Sequence, residues 1–201
     1  LESNYLNEGG FTEDFEARLG ELVGSPHTIA TSNCTSALSL CLMAAGVGVG
    51  DEVLVPDVTF IATAHSVCLT GAKPVLVDVE PDRLTMCPDA AGAAITSRTK
   101  AIIPVHVSGR SADLEALMEL AERHSLFLLE DAAEALLSKS GDEFLGMIGH
   151  AAGVSFSPNK TITTGQGGCI FTKDAELASR IRELKDQGRP VRGTGGDDVH
   201  V

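Results

Sequence analysis

The sequence predicts an α/β fold, a three-layer sandwich in which helices cover both faces of a mainly parallel, seven-stranded sheet. Seven short runs are rich in Val, Ile and Leu and do not alternate with polar residues, which is typical of strands buried on both faces. Helical patterns lie between these runs, in the chain order that parallel sheets require. The predicted strands are His27–Thr31, Glu52–Pro56, Pro74–Val79, Lys100–Val107, Leu126–Glu130, Ala151–Ser155 and Gly168–Thr172.

The predicted helices follow from apolar residues at helical spacing and from the residues that begin or end helices. The first covers residues 11–24, and its apolar face is formed by Phe11, Phe15, Leu19 and Leu22. The others are Thr35–Ala45, Phe60–Leu69, Ser111–His124 and a last helix that begins at Asp174. These elements suit one domain over residues 1–187, whereas the glycine-rich, charged residues 188–201 are predicted to form a loop.

The composition is that of a globular domain rather than that of a nucleic-acid-binding or membrane protein. The 201 residues are 43% hydrophobic and 21% charged, and they are enough for one large core. The net charge is −13, and without a basic stripe nothing favours nucleic acid as a partner. Neither a signal peptide nor a membrane span is recognisable, so the sequence predicts a cytoplasmic protein.

The cysteine pattern argues against a metal site. The five cysteines form no C-x-x-C pair, and no histidine lies at ligand spacing from them. No metal ligands are therefore predicted. An odd number of cysteines in apolar surroundings indicates reduced, mostly buried thiols, as in a cytoplasmic protein.

A polar turn with the sequence SNCTSA, residues 32–37, follows the first predicted strand and begins a helix. Backbone N–H groups and the positive end of the helix dipole attract anions at such a place, and Thr35 and Ser36 add hydroxyl donors. A phosphate would suit this turn. The alternative is an ordinary helix cap, because Ser, Asn and Thr are common at any helix start.

Two acids follow the wholly apolar strand that ends near residue 130. Asp131 lies at the carboxyl end of a buried strand, where α/β proteins place ligands. It could pair with a cationic group such as a protonated pyridine nitrogen. The alternative is an aspartate that caps the next helix.

A single lysine, Lys160, stands in the polar turn after the strand Ala151–Ser155, and glycines follow it at residues 165, 167 and 168. A lysine in a confined site can lose its proton and attack a carbonyl group. The alternative is a surface lysine in a flexible loop. The combination of an anion site, an acid and a lysine at strand ends is what pyridoxal phosphate requires.

The order of three motifs resembles the DegT/StrS-type family of sugar-nucleotide aminotransferases. The motifs are SNCTSA at residues 32–37, EDAAEA at 130–135 and SFSPNKTITTGQGG at 155–168. The segments GVGVGDEVLVP at 46–56 and AIIPVHVSG at 101–109 are also similar to the family. The resemblance covers nearly the whole chain. It implies the large domain of a fold-type I transferase that uses pyridoxal phosphate (PLP).

The resemblance also implies roles for individual residues. Lys160 matches the lysine that binds the cofactor as a Schiff base, and Asp131 matches the acid that pairs with the pyridine nitrogen. Cys34 and Thr35 match the phosphate-binding turn, and Ser155 matches a phosphate-binding hydroxyl. Phe60 matches an aromatic ring that stacks on the cofactor, and Glu134 matches a residue near the cofactor's oxygen face.

Three of these positions leave questions open at the level of sequence. Cys34 stands where many family members have glycine, which alters the local freedom of the turn. Glu134 stands where many members have Gln or His. Phe60 also begins an apolar predicted helix, so packing in the core is an alternative to stacking on the cofactor.

The function that the resemblance implies is transfer of an amino group, typically from glutamate, to a keto-sugar attached to a nucleoside diphosphate. Such products are deoxyamino sugars for surface polysaccharides or antibiotics. The run NKTITTGQGG is most similar to the perosamine-type branch, which aminates carbon 4. Family members are longer homodimers with shared active sites, so we expect this chain to lack a small C-terminal domain and to be inactive alone.

Two other functions stay open. The first is a PLP-dependent sugar dehydratase or lyase, although family dehydratases have His where this chain has Lys160. The second is a nucleotide-binding α/β domain without covalent chemistry, in which the turn at residues 32–36 would be the ligand site.

Overall fold

A computed structural model of the chain describes residues 9–188. The helices are α1 (Gly10–Val23), α2 (Cys34–Ala44), α3 (Ala62–Cys68), α4 (Pro88–Ala94), α5 (Leu114–His124) and α6 (Ala175–Lys185). The strands are β1 (His27–Thr31), β2 (Glu52–Pro56), β3 (Lys73–Val77), β4 (Thr99–Ile102), β5 (Phe127–Asp131), β6 (Lys139–Ser140), β7 (Glu143–Phe144), β8 (Ala151–Ser155) and β9 (Gly168–Thr172).

Seven of these strands form one sheet in the order β1-β9-β8-β5-β4-β2-β3. Neighbouring strands are parallel except at β9, which runs antiparallel to both β1 and β8. The strands β2 and β8 are buried along their whole length, as expected for strands that helices cover on both faces. The prediction of a mainly parallel, seven-stranded sheet is confirmed.

Two clusters of buried apolar side chains lie on opposite faces of the sheet. Along β5, Leu128 belongs to one cluster and Leu129 to the other, because successive side chains of a strand point to opposite faces. Residues of α1, α4 and α5 complete the first cluster, and residues of α2, α3 and α6 complete the second. The predicted three-layer sandwich is therefore confirmed.

Some short elements differ from the sequence prediction. The helix α4 (PDAAGAA) and the β6–β7 hairpin are not predicted. The helix lacks spaced large apolar residues, and strands of two residues are too short to show a pattern. The fourth strand ends at Ile102 instead of Val107, since Pro104 has no N–H to donate within the ladder.

The apolar face predicted for α1 is wrong at two positions. Phe11 is 91% exposed and Leu22 is 54% exposed, whereas Glu16 is buried. The carboxylate of Glu16 can be buried because it accepts a hydrogen bond from the N–H of Ala30 at 2.9 Å and meets the guanidinium of Arg182 at 3.1 Å. Helical spacing alone does not reveal that a charged side chain has such partners.

The part of the chain that the structure describes contains no helix with both the length and the hydrophobicity needed to cross a membrane. The first eight residues of the predicted domain lie outside the described residues. The predicted loop at residues 188–201 also lies outside them, apart from Gly188.

Candidate functional site

The carboxyl ends of parallel strands place the predicted site residues along one edge of the sheet. The strand β1 leads to Cys34 at the start of α2, β5 ends at Asp131, and β8 ends at Ser155. The strand β2 ends shortly before Phe60, and β9 begins at this same edge after the loop that carries Lys160. Ligands of open α/β sheets bind at this edge.

Asp131 is buried at the last position of β5. Its Oδ2 accepts a hydrogen bond from Thr63 Oγ1 at 2.7 Å, and its Oδ1 accepts one from the N–H of Ala133 at 3.1 Å. Burial raises the pKa of Asp131, and the hydrogen bonds from Thr63 and Ala133 oppose that rise only in part. An acid in this position gains from a cationic partner, because a nearby positive charge favours its ionised form.

The residues after Asp131 contradict the alternative that this acid caps a helix. Residues 132–138 form turns, and the next element is the short strand β6. The side chain of Asp131 instead closes a local turn through Ala133 and faces α3 through Thr63.

Lys160 lies in the loop between β8 and β9, where only 14% of its side chain is exposed. Its Nζ is 3.3 Å from Glu134 Oε1, and its charge acts on both Asp131 and Cys34. The alternative of an exposed surface lysine is therefore wrong. The lysine, the acid and the turn of α2 lie close enough to interact electrostatically.

The carboxylate of Glu134 contacts the Lys160 amine through one oxygen and a backbone N–H group through the other. Its Oε2 accepts a hydrogen bond from the N–H of Ser108 at 2.8 Å. This hydrogen bond, together with the charge of Lys160, lowers the pKa of Glu134 although partial burial opposes the change. Glu134 is therefore an ionised partner for the Lys160 amine.

The turn at the start of α2 caps its own helix and can also bind an anion. Asn33 Oδ1 accepts a hydrogen bond from the N–H of Ser36 at 2.8 Å, so the capping alternative is correct for this side chain. The N–H groups of Cys34 and Thr35 precede the first hydrogen bonds within a helix. Together with the helix dipole they form an anion-binding position.

Cys34 is buried beneath this turn. Burial raises the pKa of its thiol well above the usual value, and the charge of Asp131 raises it further, whereas Lys160 lowers it. The thiol therefore stays protonated and is a poor nucleophile. The group that Cys34 can offer to an anion is its backbone N–H.

Ser155 and Phe60 lie at the same edge of the sheet. Ser155 is buried, and its Oγ lies 3.2 Å from Ser157 Oγ. Phe60 precedes α3 and is 74% exposed. The alternative that Phe60 packs in the core is therefore wrong, and a face of its ring is accessible to a planar ligand.

Gly168 begins β9 directly against the turn of α2. A Cβ atom at this position would lie 2.4 Å from the carbonyl carbon of Asn33 and 2.6 Å from the nitrogen of Cys34. Because both are backbone atoms, we expect Gly168→Ala to displace the turn, to lower the free energy of unfolding by about 1–3 kcal/mol and to weaken binding of inorganic phosphate. Urea unfolding and a phosphate titration measure the two effects.

The matched control for this substitution is Gly48→Ala, whose added Cβ would find its nearest neighbour at 3.9 Å. This control is expected to keep both stability and phosphate affinity. Equal stability of the two variants would contradict the close approach of β9 to the turn.

A buried network beside Asp131 is absent from the sequence prediction. Glu130 is fully buried, and its two oxygens accept hydrogen bonds from His106 Nε2 (2.8 Å) and from the N–H groups of Gly146 (2.7 Å), Ile148 (2.8 Å) and Gly149 (2.6 Å). His106 Nδ1 accepts a hydrogen bond from the N–H of Ala112 at 3.2 Å, so Nε2 is the ring nitrogen that donates to Glu130. The network connects the end of β5, next to Asp131, with the segment that contains His106 and with residues 146–149.

One signal in the sequence could have indicated this network. Glu130 continues a wholly apolar strand, and a charged residue in such a place is buried only with partners. The other missed residue, Thr63, has no comparable signal, because a threonine on a short helix is common at the surface and in the core.

Comparison with known proteins places these features within one family. Residues 1–198 match the DegT/DnrJ/EryC1/StrS aminotransferase family. Over 188 residues the chain is 43% identical to the spore coat polysaccharide biosynthesis protein SpsC of Bacillus subtilis, a match that covers 94% of this chain and 48% of SpsC. Over 180 residues it is 46% identical to the GDP-perosamine synthase of Caulobacter vibrioides, with coverage of 90% and 48%.

A solved structure agrees with this result. The crystal structure of NtdA from Bacillus subtilis, with bound cofactor PMP, superposes with a TM-score of 0.91 at 32% identity, covering 96% of this chain and 44% of NtdA. The sheet order and this structural similarity are those of the large domain of the fold-type I transferase class. The chain belongs to the DegT/DnrJ/EryC1/StrS aminotransferase family. It spans about half the length of the curated relatives that it matches, 48% in both cases.

Proposed function

We propose that this protein transfers an amino group to a keto-sugar carried by a nucleoside diphosphate, with PLP as its cofactor. The observation that carries the proposal is that Lys160, Asp131 and the turn of α2 lie at one edge of the sheet, close enough to interact electrostatically, in a chain of this aminotransferase family. The names of the two relatives, one a polysaccharide biosynthesis protein and one a perosamine synthase, support a sugar as the acceptor.

The residues at this edge fit the parts of the cofactor. The N–H groups of Cys34 and Thr35 would bind the phosphate at the positive end of α2, with the Ser155 hydroxyl as a further donor. The exposed ring of Phe60 would stack on the pyridine ring. The donor set is suited to a phosphate ester because it combines neutral hydrogen-bond donors with a helix dipole.

Asp131 and Lys160 fit the reactive end of the cofactor. The buried carboxylate of Asp131 is the partner that a protonated ring nitrogen requires, and its cost of burial is offset when the cation arrives. Lys160 would bind the cofactor covalently, and Glu134 holds its amine near the site at 3.3 Å. PMP bound to NtdA is the aminated form of this cofactor.

When bound, PLP supplies an aldehyde for covalent attachment and a ring that accepts electrons while a substrate loses its α-proton. With the cofactor in place, the Nζ of Lys160 would take this proton and return it, because it is the amine shielded at the site. Asp131 would keep the ring nitrogen protonated. Glu134 keeps the Lys160 amine in place between proton transfers.

The family alone supports three finer parts of the proposal. These are glutamate as the amino donor, a homodimer as the working enzyme, and carbon 4 of the sugar as the position aminated. We also propose that residues 1–187 form the cofactor-binding domain.

The decisive experiment follows nitrogen from donor to sugar. The purified full-length protein, rather than this chain alone, is incubated with PLP, [15N]glutamate and a panel of keto-sugars linked to GDP, UDP or dTDP, and the products are identified by mass spectrometry. We expect one acceptor to gain a labelled amino group. The same reaction with glutamate labelled only in carbon is the matched control, since its label should not reach the sugar.

Other outcomes would contradict the proposal in different ways. Cofactor binding with loss of water from the sugar, but no labelled nitrogen, would indicate a dehydratase or lyase. A colourless protein that binds the nucleotide without PLP would indicate a binding domain without covalent chemistry.

A further inference from the structure

A chain of two hydroxyl groups leads from the segment before α3, at Thr59, to the carboxylate of Asp131. Thr63 Oγ1 donates a hydrogen bond to Asp131 Oδ2 at 2.7 Å, and Thr59 Oγ1 lies 2.7 Å from Thr63 Oγ1. Thr63 is fully buried and lies 68 residues before Asp131 in the chain. These contacts are independent of the turn that Asp131 makes with Ala133.

The direction of the two hydrogen bonds follows from the donors available. An ionised carboxylate can only accept, so the one hydroxyl hydrogen of Thr63 is donated to Asp131. The oxygen of Thr63 is then left as an acceptor for the hydroxyl of Thr59. Aligned hydroxyl groups polarise one another in the low dielectric of the interior, and each strengthens the next.

The two oxygens of Asp131 therefore have separate supports. Ala133 holds Oδ1 from the turn that follows β5, and Thr63 holds Oδ2 from α3. A carboxylate held at both oxygens cannot rotate about its last bond without losing a hydrogen bond. Loss of the Thr63 hydroxyl would leave only the local contact with Ala133.

We propose that Thr63, supported by Thr59, is a positioning residue that holds the Asp131 carboxylate in one orientation for pairing with the cofactor's ring nitrogen. This inference rests on the proposed function, because it assumes that Asp131 meets that nitrogen. Thr63 itself acts through Asp131. Its removal should therefore weaken recognition of the ring nitrogen and leave recognition of the phosphate unchanged.

The test compares two cofactors that differ only at the ring nitrogen. Binding to the cofactor-free protein is measured by absorbance titration for PLP and for 1-deazapyridoxal 5′-phosphate, in which a C–H group replaces the nitrogen. We expect the unaltered protein to prefer PLP by about 10- to 100-fold, the range of one charge-assisted hydrogen bond. We expect Thr63→Val to lower this preference about tenfold by weakening only the binding of PLP.

Two variants control this measurement. Thr63→Ser keeps the hydroxyl and is expected to keep the preference for PLP. Thr172→Val removes another buried hydroxyl, which donates to the carbonyl of His150 at 2.8 Å, and it is also expected to keep the preference. If Thr63→Val does not fold, Thr59→Val decides the question, because it removes the second hydroxyl of the chain and should cause a smaller loss in the same direction.

The possible failures are distinguishable. An equal loss of affinity for both cofactors in Thr63→Val, or no loss for either, would overturn the positioning role while the proposed function stands. An unaltered protein that binds PLP no better than its deaza analogue would overturn the pairing of Asp131 with the nitrogen. An unaltered protein that binds neither compound would overturn the proposed function as well.

Discussion

Replacing Lys160 with alanine is expected to abolish covalent attachment of PLP and to lower the rate of amino transfer by about 10³-fold or more. The substitution removes the enclosed amine that binds the cofactor and that moves the substrate proton. Its partner Glu134 is partly exposed, so solvent can satisfy the carboxylate and the fold should be retained. Borohydride reduction followed by peptide mass spectrometry reports the attachment, and [15N]glutamate assays report the rate.

The control for this prediction is Lys173→Ala. The side chain of Lys173 is 57% exposed and meets only the exposed Glu143 at 3.5 Å among the contacts described for it. This variant should retain both covalent attachment and activity. If reduction traps the cofactor on another lysine of the unaltered protein, or if Lys160→Ala keeps its activity, the central assignment is wrong.

Replacing Glu130 with alanine is expected to lower the free energy of unfolding by about 3 kcal/mol or more. The four hydrogen bonds that its carboxylate accepts come from groups inside the protein, and each buried donor left without a partner costs about 1–3 kcal/mol. The network also holds β5 next to Asp131. Urea unfolding at pH 7 measures the effect, and Glu143→Gln, a change at an exposed glutamate, is the control.

The pH dependence of the stability of the variant Glu130→Gln tests whether the charge of the Glu130 carboxylate stabilises the fold. Burial raises the pKa of Glu130, but the hydrogen bond from His106, with those from the N–H groups of Gly149 and Gly146, lowers it overall. The folded pKa thus lies below the unfolded value of about 4.3. The stabilisation is complete above the unfolded pKa and is lost as pH falls through the folded pKa.

We therefore expect the unaltered protein to be more stable than Glu130→Gln by an amount that is constant above about pH 5. This difference in the free energy of unfolding should become smaller as the pH falls below the unfolded pKa of Glu130. Unfolding midpoints measured between neutral and acidic pH give this difference. A difference that is the same at every pH would show that the carboxylate charge does not contribute.

Much of the fold could be predicted because its determinants are local. Strands that helices cover on both faces require apolar runs, as in β2 and β8, and six of the seven strands match a predicted run to within about two residues. The exception, β4, ends early at Ile102, because Pro104 interrupts the ladder inside an apolar stretch. The short helix α4 has too few large side chains to show a period.

The candidate site could be predicted in part for a similar reason. Lys160 and Asp131 are chemically distinctive residues at the ends of apolar strands, and parallel topology brings such ends to one edge. The structure confirms that both lie at this edge and are shielded from solvent. Their roles in binding a cofactor stay predictions that the experiments above address.

By itself, the sequence determined the layered α/β class, the sheet composition and the edge at which the site lies, because these depend on the order and hydrophobicity of local segments. Only the tertiary structure decided that Glu16 is buried while Phe11 is exposed, that Thr63 supports Asp131, and that Glu130 has partners. A buried polar side chain is stable only when hydrogen-bond partners meet it. Thr63 lies 68 residues from Asp131 along the chain, and His106 lies 24 residues from Glu130, so no local pattern records these two contacts.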